Sequence, residues 1–396
     1  MTHNWLDEGL LGRVREIVRP WSCHVVGGAV RDRLLGRTAR DLDLVVSGPG
    51  AQAALTAGLP AKAIELGGER FAAVRLVGEG FEVDLWDRGD ESLRDELARR
   101  DLTVNAIAVD LGDGSWHDPL AGREDIRLRR LRAATGESFR DDPLRVLRLT
   151  RLAAELPGFS VDKATLALAA EAVDSLGATA PERQREELRR ALIAPAPEVA
   201  VELWSRLRIY PQRLFPRADP SVAGDRALVL LRAGEDHAAR LRVEPLTLRL
   251  ALIAAAAQGD PDDLLEHGYI TRREARDLAL ALSWDDLPDR VEDQRWLLHR
   301  SGELWPTGLC VAAALQPESA GVAVTDRVSQ ILRLMETEGN AILDPKPFLR
   351  GDEIRELLGV TGAALGIAAR QLRRAQVEGR ICDRDQAVDW LVNERR

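Results

Sequence analysis

Two aspartates one residue apart, Asp41 and Asp43, sit at the head of an apolar run, RDLDLVV (40–46). In an extended segment alternate side chains share a face, so both carboxylates would point the same way. Two close carboxylates are unfavourable unless a cation neutralises them, and Mg²⁺ favours such oxygen ligands together with substrate phosphates. A solvated acidic turn accounts equally well for an isolated Asp-x-Asp. Glu82-Val83-Asp84 repeats the spacing. A third carboxylate beside such a pair is what a two-metal nucleotidyl-transfer site needs, one ion activating the attacking hydroxyl and the other steadying the triphosphate and the leaving pyrophosphate. Asp84 is favoured over Glu82 for that place.

Three further stretches carry groups suited to a nucleotide. Gly27-Gly28 falls between a strand pattern and a helix pattern, where bare amides and a helix N-terminus favour phosphate oxygens; a plain tight turn is the alternative. The run from Arg99 to Ala108 offers Arg100 to clamp phosphate and Asp101 and Asn105 to bond ribose hydroxyls. A helix start capped by Asp101 or Thr103 explains it as well. Asp142-Pro143 reads as an N-cap followed by proline at the first helical position, an ordinary helix start. Asp142 and Arg145 are nevertheless three apart and share a helical face. A carboxylate accepts from an exocyclic amine while a guanidinium donates to a ring nitrogen, the edge that cytosine and adenine present and uracil and guanine reverse.

The elements that must position these groups change character along the chain. Ser22–Val26, Asp41–Val46, Phe71–Val77 and Phe81–Leu85 read as strands, and Ala29–Leu35 as a helix stopped by Gly36. Val104–Leu111 is apolar and fits either type. From about residue 140 long Ala/Leu/Arg stretches with helical spacing dominate, broken by proline and glycine clusters. The fold class is therefore α+β, a mixed head followed by an all-helical remainder.

Composition sets outer bounds. The chain has 396 residues, 45% apolar and 30% charged, enough for several packed units and no membrane span. The first residues lack an apolar signal core, and Cys23, Cys310 and Cys382 are too few and scattered for a disulfide framework, pointing to a reduced, cytoplasmic protein. The net charge of −9 is a poor guide to nucleic-acid binding, which depends on local basic stripes. One stripe exists: Arg123, Arg127, Arg129, Arg130, Arg132, Arg140, Arg145, Arg148 and Arg151. His24 and His117 read as packing or surface residues, and Cys23 as a small buried side chain.

Taken in order, VVGGAVRDRLLGR (25–37), RDLDLVV (40–46), RRDLTVNAIAVD (99–110), DPLAGREDI (118–126), FRDDPLRVLRLTRLA (139–153) and ERQREEL (182–188) resemble the class II tRNA nucleotidyltransferase and bacterial poly(A) polymerase family. GDEIRELLGVTGAALG (351–366) is similar to the family's tail. The resemblance implies a polymerase-β-like nucleotidyltransferase head over 1–130, a neck over 131–215, a body over 216–320 and a tRNA-binding tail over 321–396. It implies that Asp41 and Asp43 ligate Mg²⁺ and that Gly27, Gly28 and Arg31 meet the triphosphate, with Asp32 bracing the loop. It also implies that Arg100, Asp101 and Asn105 hold sugar and phosphates. Asp142 and Arg145, with Arg148 nearby, would read the incoming base, braced by Arg183 and Glu187. The implied reaction adds C and A residues from CTP and ATP to a tRNA 3′ end, releasing pyrophosphate.

Three departures refine the expectation. The base-reading motif begins Asp141-Asp142 where the family has Glu-Asp. Ala254-Ala255, in LRLALIAAAAQGDP (248–261), stand where some relatives carry the His-Asp of a metal-dependent phosphohydrolase. The segment DLWDRGDESLRDELA (84–98) is short, resembling CC-adding members that stop before the final A. The rival readings are an A-adding enzyme or poly(A) polymerase on the same scaffold, a catalytically silent RNA-binding protein, and a nucleotidyltransferase acting on a small molecule or protein.

Overall fold

The computed structural model describes residues 8–39, 41–66, 73–315 and 321–393. The chain divides into two compact units, Met1–Ala200 and Val201–Arg396.

The first unit opens with α1 (Glu8–Val18), β1 (Ser22–Val26), α2 (Gly28–Leu34), β2 (Leu42–Ser47), α3 (Ala51–Gly58), β3 (Ala61–Leu66), β4 (Ala73–Gly78), β5 (Phe81–Asp87), α4 (Leu93–Ala98), β6 (Ala108–Asp110) and β7 (Trp116–His117). Seven strands form one sheet in the order β3-β4-β5-β2-β1-β6-β7, with β2 and β5 parallel and the other pairs antiparallel. Period-two alternation explains its two faces. Val25, Leu42, Leu44, Val46, Leu76, Val83 and Leu85 point one way and are fully buried. The opposite parity carries Asp43, Asp84 and Arg75, which are cross-strand neighbours, together with Val26 and Val45. Val26, Val45, Leu97, Ala106 and Ala108 make a small apolar cluster that seats α4 on this polar face.

The expected strands and the first helix are present with small shifts. Asp41 lies just before β2, and β5 extends to Asp87. Of the strand expected over Phe71–Val77, Phe71 and Ala72 lie outside the described residues. The ambiguous Val104–Leu111 run splits, a single tight turn over Thr103–Asn105 giving way to β6. Neither Asp101 nor Thr103 caps a helix there: Leu102 precedes the turn, and the Asp101 carboxylate accepts from the Leu102 amide at 2.8 Å.

The first unit continues through α5 (Gly122–Arg127), β8 (Arg130–Leu131), α6 (Ser138–Asp141), α7 (Arg145–Glu155), β9 (Ser160–Val161), α8 (Lys163–Ala172) and α9 (Pro181–Ile193) into α10 (Pro197–Arg206), within which the chain passes into the second unit. The expected cap at Asp142 is displaced. Helix α7 starts at Arg145 after Leu144, and Asp142 forms a preceding turn whose Oδ1 accepts from the Leu144 amide at 3.1 Å. Buried Arg151 then locks α7 to α9, its Nε donating to Glu187 at 2.6 Å while Nη1 donates to Glu155 at 2.7 Å.

The second unit is helical throughout its described residues. It comprises α11 (Pro220–Leu241), α12 (Pro245–Ala257), α13 (Pro261–Glu266), α14 (Arg272–Leu282), α15 (Val291–Ser301), α16 (Trp305–Leu315), α17 (Gly321–Leu343), α18 (Gly351–Leu358), α19 (Gly362–Val377) and α20 (Arg384–Asn393). Acidic or hydroxyl caps followed by proline or a reciprocal glutamate set several starts: Asp219 before α11, Glu244 before α12, Asp260 before α13, and Thr271 with Glu274 at α14. Two cores hold it, one around Trp284 and Leu298 and one around Leu372 and Leu391. None of its described helices is long and apolar enough to cross a membrane.

Candidate active site

The end of β1, the start of β2 and the middle of β5 converge. In register, Val26 faces Asp43 and Asp43 faces Asp84, so two of the three carboxylates stand side by side on neighbouring strands. Asp41 lies two residues before Asp43 and is exposed. The crossing from β1 into α2 runs through Gly27 at φ 72°, a left-handed backbone that glycine adopts without strain. A methyl group there would run into Asp43 Oδ2, so the close approach of this turn to the carboxylate also demands glycine.

Electrostatics mark Asp43 as a strained anion. Its pKa is raised from the ordinary 3.8 to about 6, first because the surrounding protein displaces water; Arg100 and Arg148 oppose the rise, while Asp84 and Asp41 add to it. The Arg100 guanidinium lies 3.8 Å from Asp43 Oδ2, donates to Glu96 at 3.0 Å, and stacks over Trp86 at 5.1 Å. Asp84 has a different partner. Arg75, opposite it on β4, grips both carboxylate oxygens at 2.7 Å and reaches Glu82 at 2.9 Å. The Glu82–Asp84 repeat is thus bound up with one arginine that the sequence pattern did not single out.

Arg31, Asn105, Asp101 and Arg148 form one chain of contacts. Arg31 donates to Asp32 at 2.9 Å and to Asn105 at 2.7 Å, Asn105 donates to Asp101 at 2.9 Å, and Arg148 pairs with Asp101 at 3.1 Å. Asp101 and Asn105 are only 5% and 6% exposed. Burial alone would raise the Asp101 pKa, but Arg148, the Asn105 amide and the Leu102 amide outweigh it and hold the carboxyl down to about 2. The Arg145 amide donates to the Asp142 carbonyl at 3.0 Å, but the two side chains take different partners. Arg145 donates to the carbonyls of Ser138 at 3.0 Å and Arg99 at 2.6 Å, while Asp142 pairs with Arg183 at 3.2 Å.

The arginine stripe is mostly satisfied within the head. Arg130 and Arg132 both hold the buried Asp125, Arg127 bonds Glu124, and Arg140 pairs with Glu137 and Glu171. Arg123 lies over Trp116. Most of these arginines are ion-paired and so pin local structure, while Arg127 and Arg140 stay exposed. His24 and His117, expected as packing or surface residues, come together with Asp110. Sequence could not reveal that trio, because strand pairing alone makes its members neighbours.

A glycine turn, paired strand carboxylates and surrounding arginines are the parts of a nucleotidyl-transferring enzyme. The Poly A polymerase head domain matches residues 23–86 and 69–132. A CC-adding tRNA nucleotidyltransferase of Geobacter sulfurreducens is 33% identical over 93% of this chain and 91% of its own. A multifunctional CCA protein of Aromatoleum aromaticum is 37% identical over 72% of this chain and 76% of its own. Among solved structures, the Bacillus stearothermophilus CCA-adding enzyme in complex with CTP superposes with a TM-score of 0.73 at 25% identity, covering 97% of this chain and 96% of that one. The chain belongs to the tRNA nucleotidyltransferase family.

Proposed function

We propose that this chain adds C residues from CTP to the 3′ end of tRNA and stops at CC. The observation that carries the reading is the short connection from β5 to α4, only residues 88–92 between Asp87 and Leu93. Ser92 caps α4 by accepting from the Asp95 amide at 3.1 Å, and Ser47 donates to the Gly89 carbonyl at 2.8 Å, so the connection is tied at both ends. The Geobacter relative named as CC-adding supports the same reading. The relatives named multifunctional CCA proteins favour full CCA addition as the second reading.

In this reading the tRNA 3′ hydroxyl oxygen forms a bond to the α-phosphorus of CTP, and the bond to the pyrophosphate oxygen breaks. Asp41 and Asp43, with Asp84 beside them, are the residues that would hold Mg²⁺. The donor set fits a hard cation, all oxygen and with the Asp43 pKa raised by burial and, further, by its neighbours Asp84 and Asp41. When bound, the ion polarises the phosphate and lowers the pKa of the attacking hydroxyl. The Gly27–Gly28 turn presents backbone amides to the triphosphate. Arg100 neutralises charge near Asp43, and Arg31 and Asp32 brace the turn. Asp101 and Asn105 act through their contacts with Arg31 and Arg148 rather than as exposed sugar ligands. Asp142 and Arg145 read the base edge, and Arg183 and Glu187 brace the start and middle of α7. The head is placed over 1–130, the neck over 131–215, the body over 216–320 and the tRNA-binding tail over 321–396. The setting is the cytoplasm, where uncharged tRNA and both nucleotides are at hand.

Ala254 is buried on α12 and Ala255 partly so. Neither side chain can ligate a metal, which speaks against a phosphohydrolase there. The test of the main reading is incorporation from CTP and ATP together into tRNA ending at the discriminator base, at C and at CC. The expected product ends in CC, with negligible A addition to the CC substrate. Efficient A addition to that substrate would establish the CCA reading instead.

A further inference from the structure

Around the middle of β1, a few residues before the glycine turn, three side chains converge on the same face of the sheet. His24 on β1 is in register with Asp110 on β6, and β7 places His117 opposite Ala108, next to them. His24 Nε2 lies 3.3 Å from Asp110 Oδ2, and the two imidazoles meet edge to face with centroids 5.2 Å apart. One ligand atom from each of the three falls within 4.8 Å of the others, the only such trio of His, Cys, Asp or Glu among the described residues. We propose that His24, Asp110 and His117 bind a divalent transition-metal ion of the Zn²⁺ type, which clamps the β1–β6–β7 edge of the head.

The His24–Asp110 distance suits that ion, and the third ligand atom lies within 4.8 Å of both. Two donors about 2.0 Å from a tetrahedral centre lie roughly 3.3 Å apart, which is the His24–Asp110 separation. Nitrogen-rich donors of this kind select zinc and its neighbours over Mg²⁺, which prefers an all-oxygen shell. Each ligand is also oriented from behind. Asp110 Oδ1 accepts from the Gly112 amide at 2.6 Å and the Asp113 amide at 3.3 Å, leaving Oδ2 turned to His24. Ser22 Oγ stands 3.5 Å from His24 Nδ1, and Ser115 Oγ stands 3.3 Å from His117 Nε2. Such supporting partners fix ring orientation at protein metal sites. A hydrogen-bonded His24–Asp110 pair alone would account for a satisfied buried histidine. It gives no reason for a second imidazole edge against the first.

The trio is separate from the carboxylates that would hold Mg²⁺. Val26, two residues beyond His24, Val45 and Ala108 lie in the buried apolar cluster on this face. Three donors leave a fourth position for water, and the location fits a structural clamp, since β1 delivers the chain into the Gly27 turn.

The test uses the full chain, stripped with a chelator and titrated with Zn²⁺ and with Co²⁺ in excess Mg²⁺. One ion per chain is expected, with the visible Co²⁺ bands of a nitrogen-containing site and a raised unfolding midpoint. His117→Ala should weaken binding by more than about 100-fold and abolish the rise in midpoint, while its midpoint in chelator stays at that of the unsubstituted chain. His24→Gln should also lose the ion, and Asp43→Asn should retain it. Absence of stoichiometric binding overturns the proposal, as does binding unchanged in both histidine variants or lost in Asp43→Asn.

Discussion

Replacing Asp43 by asparagine should stabilise the metal-free protein. Folding raises the Asp43 pKa from 3.8 to about 6, so the folded state favours the protonated form. The sign follows directly: no penalty exists well below the unfolded value, it grows as pH rises between the two values, and it is complete above the folded one. The difference corresponds to about 3 kcal/mol as a ceiling. The Asp43 side chain is 24% exposed, so water screens part of this and a gain of about 1 to 3 kcal/mol is the working expectation. Asparagine keeps the shape and removes the charge that Asp84 and Asp41 oppose. Urea unfolding in chelator, followed for the first unit, should show Asp43→Asn ahead of the unsubstituted chain at about pH 8. The advantage should shrink several-fold at about pH 4, because the native carboxyl is then largely protonated. Adding Mg²⁺ at about pH 8 should restore the unsubstituted chain and leave the variant nearly unmoved, since the ion binds the ionised form. A variant less stable in chelator at about pH 8, or a gain that ignores pH, would refute the assignment of Asp43 as a charge awaiting a cation. Nucleotide incorporation should be lost in the variant at every pH.

Gly27→Ala should lower kcat/KM for CTP by on the order of 100-fold, because a methyl group at positive φ displaces Asp43 Oδ2; rates measured at saturating metal would check it. Asp142→Ala should relax selection of C against U by about 1 to 3 kcal/mol, or roughly fivefold to more than a hundredfold, read as the ratio of kcat/KM values for the two nucleotides. Arg151→Ala should cost about 3 to 5 kcal/mol of stability, because it leaves Glu187 and Glu155 without their buried cation; chemical unfolding of the full chain tests it.

The placement of much of this candidate site was legible in the chain because its signals are local. The glycine pair, the Asp-x-Asp spacing and the helix-breaking prolines each follow from a few adjacent residues. Period-two alternation was enough to send Asp43 to one face of β2 and Leu42, Leu44 and Val46 to the other. What escaped depends on strand order. Arg75 reaches Asp84 only because β4 pairs with β5, and His24 meets Asp110 only because β6 lies beside β1. The cap expected at Asp142 failed for a related reason. Its carboxylate is shared between the Leu144 amide and Arg183 on α9, a helix about forty residues away in sequence, so the turn tightens and α7 begins later.

The buried carboxylate of Asp101 ties these local pieces into one device. Held to about 2, it stays ionised at any working pH and keeps the Arg148 charge of α7 beside it. Through Asn105 it also fixes Arg31 on α2, the helix that the Gly27 turn opens. The same α7 begins at Arg145, whose guanidinium is anchored on the Arg99 carbonyl next to Arg100. Helix α2, which follows the glycine turn, and helix α7, which carries Arg145 and Arg148, are therefore registered through a single buried anion. Its Oδ1 accepts from the Leu102 amide and the Asn105 side chain, and its Oδ2 faces Arg148 at 3.1 Å, so small rotations of α7 are resisted. If Asp142 and Arg145 read the base as proposed, that rigidity is what template-free selection would require, because protein groups would then stand in for a pairing base at a fixed distance from the reacting phosphate.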